Sequence, residues 1–352
     1  MRRVARPVSA LAATLLAGCT ATPVDPYGPT TPPAVLATLA DAGVRDLRAP
    51  YREAVCRRLA QHGNDCDDIL LRLSGEGTVP AAAASPAAVD LAERYRVVMV
   101  PGFFAECFAV LAHTFADVER ELGRQGYSVS HMQVPGRRST AHNAAELARQ
   151  FSELASDARP IIVFAHSKGL LDTLEFIAGH PAASRQIAAV VSVAGAANGS
   201  PLADQLLTSY QRFVAGTPWP GCETGDGAEI DDLRRDVRLE WWYRNRAAID
   251  VPVFSLVAAP RPERVSPGTL STYRSLAEID PRNDGKLIWY DQIVPGGYLL
   301  GYVNADHWTI AIPVAEELPP LARWFPDEVP RTALAEAAIE LIDRTLDADG
   351  PR

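Results

Sequence analysis

Ser167 lies in the stretch Ala165-His166-Ser167-Lys168-Gly169, between two segments of opposite character. Residues 161–164, Ile-Ile-Val-Phe, form a β-branched and aromatic run that predicts a buried strand, and residues 170–177 carry apolar side chains at helical spacing. A serine on a sharp turn from strand to helix has its hydroxyl pushed clear of the sheet edge, where it can act as a nucleophile. Small residues two positions to either side let strand and helix approach. Glycine is commoner at the position of Ala165, and a methyl group is about the largest group the turn tolerates there. The same five letters fit an ordinary Ser-Lys-Gly turn, so it is the strand and helix around them that favour nucleophilic chemistry.

A serine hydroxyl needs a base to take its proton, and the base needs an acid to fix its tautomer. Of the seven histidines, His166 adjoins the serine but is expected to point away on the turn. His62 lies in an N-terminal extension, His113, His142 and His180 fall within or at the ends of helices, and His131 lies in an early strand. All of these fit surface or core roles. His307 differs, because Asn304-Ala305-Asp306-His307-Trp308 follows the last strand signal, on the same rim as Ser167 if the strands run parallel. His307 is the expected base. Asp284, in Asn283-Asp284-Gly285 after a predicted strand at residues 251–258, is the expected acid. Asp280, Asp291 and Asp306 are rivals, although Asp306 adjoins His307 and should point the other way.

These groups need a framework of alternating strands and helices. Strand signals recur at residues 97–100, 128–134, 161–164, 187–193, 251–258, 286–290 and 298–303. Helical patterns fill residues 108–122, a segment capped by Ser139 or Thr140 and running to residue 154, a segment beginning at Ser266-Pro267, and residues 333–346. This alternation predicts an α/β fold, a mostly parallel sheet with helices on both faces. Residues 199–249 break the pattern and hold Tyr210, Phe213, Trp219, Trp241, Trp242 and Tyr243. An insertion there is expected over the carboxyl edge of the sheet, as a cap lining an apolar acyl pocket or as aromatic glue to the main domain.

With these residues in view, the chain resembles the α/β-hydrolase superfamily, in particular bacterial lipases and esterases of the triacylglycerol-lipase type. Four motifs carry the resemblance over residues 97–312: Val100-Pro101-Gly102-Phe103, the serine pentapeptide, Gly199-Ser200-Pro201-Leu202-Ala203-Asp204, and Asp284-Gly285 with Asp306-His307. The order Ser167, Asp284, His307 matches the family's nucleophile, acid, base order. The resemblance implies that the backbone N–H groups of Phe103 and Lys168 form an oxyanion hole, with the Lys168 side chain incidental. Pro101 stands where family lipases often carry histidine. Trp308 and Thr309 follow His307 where calcium-binding lipases place an acid, and no clustered His/Cys spacing appears. Neither a metal nor a cofactor is expected.

The N-terminus carries a targeting pattern. Arg2, Arg3 and Arg6 precede a short apolar core at residues 8–16, too brief to span a bilayer, which ends in Leu16-Ala17-Gly18-Cys19. That ending resembles the lipobox of bacterial lipoproteins. It implies cleavage of residues 1–18 and acylation of Cys19, with an ordinary secretory signal as the plainer reading. Thr20 after Cys19 disfavours inner-membrane retention, which puts the expected location at the cell envelope, on the outer membrane or the outer face of the cell membrane. Cleavage removes three arginines and no acids, taking the net charge from -9 to -12. Nothing resembles a basic stripe, so nucleic acid is excluded as a partner. The expected partners are a small-molecule or lipid ester and the membrane, reached through the anchor.

Residues 19–43 read as a Pro/Thr-rich tether and residues 44–88 as a helical extension with a linker at 75–88. Residues 89–350 read as the hydrolase domain, with its cap at about 200–249. In an oxidising compartment Cys56, Cys66, Cys107 and Cys222 allow three pairings or free thiols. Cys56 with Cys66 is favoured because both lie in one hairpin-like segment, leaving Cys107 with Cys222. The activity expected is ester hydrolysis through an acyl-enzyme. Polyester depolymerase, thioesterase and acyltransferase chemistry share the constellation, and a non-catalytic envelope binding lipoprotein is the alternative of another class.

Overall fold

The computed structural model describes residues 43–60, 65–72, 90–108, 113–218, 221–225, 227–325 and 329–349. The signal segment, Cys19, most of the tether, the linker, His62 and Trp219 lie outside them. Strands β1 (Arg45–Asp46), β2 (Leu70–Leu71), β3 (Arg96–Val100), β4 (Ser128–His131), β5 (Ile161–His166), β6 (Ile187–Val193), β7 (Val253–Ala258) and β8 (Tyr298–Val303) form one sheet. Its order is β1-β8-β7-β6-β5-β3-β4, and every neighbouring pair on that path is parallel; β2 alone pairs antiparallel, with β8.

The central strands are buried on both faces, as continuous apolar runs require. Val97 and Met99 of β3 pack on one face, while Val98 and Val100 pack on the other. The first face is covered by α1 (Arg48–Ala60), α2 (Ala116–Arg124) and α8 (Arg331–Asp349), through Tyr51, Val55, Leu59, Val118, Leu122, Ile339 and Ile342. The second is covered by α3 (Thr140–Glu153) and α4 (Lys168–Gly179), through Leu147, Phe151, Leu170, Leu174 and Phe176. Ser139 caps α3 by accepting the His142 N–H at 3.2 Å.

Several sequence expectations give way. The extension is less helical than its pattern suggests, because two-residue strands flank α1 and add to β8. The apolar run at 286–290 is no strand: Leu287, Ile288 and Trp289 are buried in a turn that leads into a 3-10 helix at Trp289–Gln292. The helix expected from Ser266-Pro267 begins three residues past that proline, as α7 (Leu270–Ala277). Of the segment expected as one helix at 108–122, residues 109–112 lie outside the described residues; Phe108 ends a single helical turn, Ala105–Phe108, and α2 begins only at Ala116. In the insertion lie α5 (Pro201–Phe213) and α6 (Arg235–Asn245). Among the described residues no helix is long and apolar enough to cross a membrane.

Candidate active site

Parallel strands bring the carboxyl ends of β3, β5, β7 and β8 to one rim, and the loops that follow them carry the candidate residues. Ser167 joins β5 to α4 with φ 55 and ψ -125, a left-handed conformation unusual for a residue with a side chain. Close packing holds this turn. A Cβ on Gly169 would lie 2.4 Å from the Pro101 carbonyl oxygen, and one on Gly102 would lie 2.8 Å from Ser167 Cβ. Only glycine lets the backbone after β3 and the start of α4 come this near.

His307, four residues past β8, bridges the site. Its Nε2 lies 2.9 Å from Ser167 Oγ and its Nδ1 lies 2.7 Å from Asp284 Oδ2. The His307 backbone N–H donates to the Asp284 carbonyl at 2.9 Å, tying the two loops together. The other Asp284 oxygen accepts the N–H groups of Lys286 at 2.8 Å and Leu287 at 2.6 Å, so the carboxylate is fully engaged and buried. The rival acids are occupied elsewhere. Asp306 accepts from Ser266, Thr269, Trp308 and Thr309, while Asp280 pairs with Arg282 and Asp291 with Arg235.

His166 has a part that its position did not reveal. Its Nε2 donates to the His307 carbonyl at 2.9 Å, and the two rings lie 4.9 Å apart. Burial, with the nearby His307 ring, pushes its pKa down to about 3, so it stays neutral and keeps one fixed tautomer. The Lys168 side chain, expected to be incidental to the chemistry, has a partner of its own. It is wholly buried, and its Nζ donates to Asp172 Oδ1 at 2.6 Å. Burial pushes the Asp172 carboxyl up to about 6, against the opposing pull of Lys168 and Asn143. A lysine in the first turn of a helix usually reads as a solvated face, and no sequence signal marks this one as buried.

Gly102, which precedes Phe103, packs against Ser167, Lys168 follows Ser167, and among the described residues no hydrogen bond takes the backbone N–H of Phe103 or Lys168. The rings of Phe103, Phe104 and Tyr210 cluster beside them with centroids 4.6 to 6.4 Å apart, against Leu171, Leu207, Ile230 and Leu287. Arg137, nearly inaccessible, donates to the carbonyls of Val214, Ala215 and Thr217 and sits 5.3 Å from the Phe104 ring, so it joins the end of α5 to this turn. Cys107 and Cys222 lie at disulfide distance and link the same turn to the insertion; Cys56 and Cys66 form the second such pair. Among the described residues, one group of acids, histidines and cysteines is close enough for a metal: Glu106, Cys107 and Cys222, two of whose sulfurs face each other as that pair. A cavity of about 770 Å³ opens at the opposite, amino-terminal edge of the sheet, lined by Arg94, Pro160, Arg185 and Ile187, away from these groups.

The structure is similar to that of the metagenomic carboxyl esterase MGS0156, with a TM-score of 0.81 and 35% identity over 90% of this chain and 100% of that one. The chain belongs to the α/β-hydrolase superfamily. This hydrolase also shares its fold with the mature lipase BlEst2 of Bacillus licheniformis, at a TM-score of 0.51 and 18% identity over 60% of this chain and 84% of that one. No protein-family model and no curated protein sequence matches this hydrolase. Its fold is that of esterases and lipases, with an eight-stranded, mostly parallel sheet between helices.

Proposed function

We propose that this hydrolase cleaves carboxylic esters through an acyl-enzyme, with Ser167 as nucleophile, His307 as general base and acid, and Asp284 as the group that orients His307. The observation that carries the reading is the double contact of His307, 2.9 Å to the serine hydroxyl and 2.7 Å to a buried carboxylate. With its Nδ1–H given to Asp284, the imidazole presents a bare Nε2 to the hydroxyl and takes its proton as Oγ attacks the ester carbonyl. Collapse of the tetrahedral intermediate expels the alcohol, which receives that proton. Water, activated by the same nitrogen, then frees the acid and restores the serine. Negative charge developing on the carbonyl oxygen meets the N–H groups of Phe103 and Lys168, each worth about 3 kcal/mol of barrier in such sites. The Phe103, Phe104, Tyr210 and Leu207 surface suits the apolar acyl chain.

Ser167→Ala is expected to abolish both turnover of short-chain aryl esters and covalent labelling by a fluorophosphonate. Labelling that persists in the variant would remove Ser167 as nucleophile, and a wild-type chain that never labels would favour a binding role. An envelope location through lipidated Cys19 belongs to the same proposal. It predicts palmitate incorporation in a bacterial host that disappears in Cys19→Ser, and it fails if the label stays.

A further inference from the structure

The two oxyanion amides come from different loops, and a polar chain, buried except at its far end, runs between those loops. Lys168 Nζ donates to Asp172 Oδ1 at 2.6 Å, and Asp172 Oδ2 accepts Asn143 Nδ2 at 2.8 Å. The same Asn143 nitrogen donates to the Pro135 carbonyl at 2.9 Å. The next residue, Gly136, donates its N–H to Glu106 Oε2 at 2.6 Å. Glu106 belongs to the turn Ala105–Phe108, which directly continues Phe103-Phe104. Gly136 also presses on that turn, since a Cβ there would come within 2.5 Å of the Phe104 nitrogen. The chain of contacts therefore starts at the side chain of one donor residue and ends at the loop carrying the other.

Stability alone does not account for such a chain. Lys168, Asp172 and Asn143 are all buried, and apolar side chains of the same volume hold a core as well as a buried ion pair does, without its desolvation cost. What the polar links add is geometry, because hydrogen bonds of 2.6 to 2.9 Å fix distances where apolar contacts slide. An oxyanion hole needs that fixity, since its donors act only if they already aim at the transition-state oxygen. We propose that Lys168, Asp172, Asn143 and Glu106 form a strut that sets the separation of the Phe103 and Lys168 amides. The inference rests on the acyl-transfer reading above. The four side chains are positioning groups and touch no reacting atom.

Asn143→Leu breaks the middle link at similar volume. The strut predicts a roughly 10- to 100-fold fall in kcat with KM within about twofold, because a displaced donor is missed in the transition state and hardly in the ground state. A thionoester, whose sulfur uses the hole poorly, reports the same defect. The preference for ester over thionoester shrinks in the variant, whereas simple loss of folded protein lowers both rates alike. Glu106, only partly buried at the far end, supplies a second pair should Asn143→Leu fail to fold. Glu106→Leu lowers kcat, and Glu106→Gln, which keeps an acceptor for Gly136, recovers most of it. Wild-type kcat and an unchanged thionoester ratio in Asn143→Leu or, where that variant does not fold, in Glu106→Leu overturn the strut. Wild-type turnover that persists in Ser167→Ala overturns the acyl-transfer reading and the strut with it.

Discussion

At Asp284 the two carboxylate oxygens have different neighbours, and this fixes what an amide would do in its place. Oδ1 accepts two backbone N–H groups, so the carbonyl of an asparagine stays there and its NH2 turns toward His307. His307 Nδ1 must then accept, which moves the ring proton to Nε2 and leaves no base facing Ser167. Asp284→Asn is therefore expected to lower kcat by about 10³- to 10⁴-fold with little loss of fold, measured as ester turnover beside a thermal melt. A loss below about tenfold would show that His307 does not depend on this carboxylate. His166 gives a prediction in pH. Its folded pKa is lowered to about 3, while the unfolded chain takes up a proton near pH 6.5. Between those values the unfolded state binds more protons, so stability is full above about 6.5 and declines as pH drops toward 3, by at most about 1.4 kcal/mol per pH unit. His166→Gln keeps a donor for the His307 carbonyl and does not titrate. Its urea midpoint should fall less between pH 6 and 4 than that of the wild type, and parallel declines would clear His166 of the effect.

Elements were legible in the sequence where both faces are buried. β3, β5, β6, β7 and β8 are mostly apolar strands of five to seven residues, and each of Ser167, His307 and Asp284 could be ranked by the strand it follows. Strands β1 and β2 hold two residues each, too few to show any periodicity. Residues 286–290 misled for the opposite reason. Leu287, Ile288 and Trp289 are buried, but they sit in the turn that closes on Asp284, and an apolar run does not report which backbone carries it. The surroundings of Lys168 and His166 are not legible in the sequence, because tertiary packing decides that the i,i+4 pair Lys168–Asp172 is buried and that His166 meets the His307 carbonyl 141 residues away. Charge and ring chemistry at a position say nothing of burial there.

At the scale of the molecule, β1 and β2 close an edge of the sheet that β8 would otherwise leave open. β8 has β7 on one side; along the other lie β1, paired at Tyr298 and Leu299, and β2, paired at Tyr302 and Val303. Arg52 of α1 holds β2 by donating to the Leu70 and Leu71 carbonyls at 2.8 Å each, and Cys56–Cys66 joins α1 to the turn before β2. Helix α1 is fastened to α8 in turn. Tyr51 donates to the Leu334 carbonyl at 2.9 Å, and Arg57 and Arg58 pair with Glu340. Val55, Leu59 and Leu70 are buried under this arrangement, and at about 1.5 to 3 kcal/mol each they contribute an amount comparable with the whole stability of a domain. Deleting residues 1–89 would remove that burial and bare the Tyr-Leu-Leu-Gly-Tyr-Val edge of β8, a long apolar strand of the kind that pairs with other chains. The truncated chain is expected to be insoluble or to aggregate on purification, although every residue of the candidate site is retained. A deletion of residues 1–42 alone, which keeps β1, α1 and β2, should remain soluble and retain esterase turnover. Soluble, monomeric and active protein from the longer deletion, judged by gel filtration and turnover, would show that the extension covers the sheet without being needed to hold it.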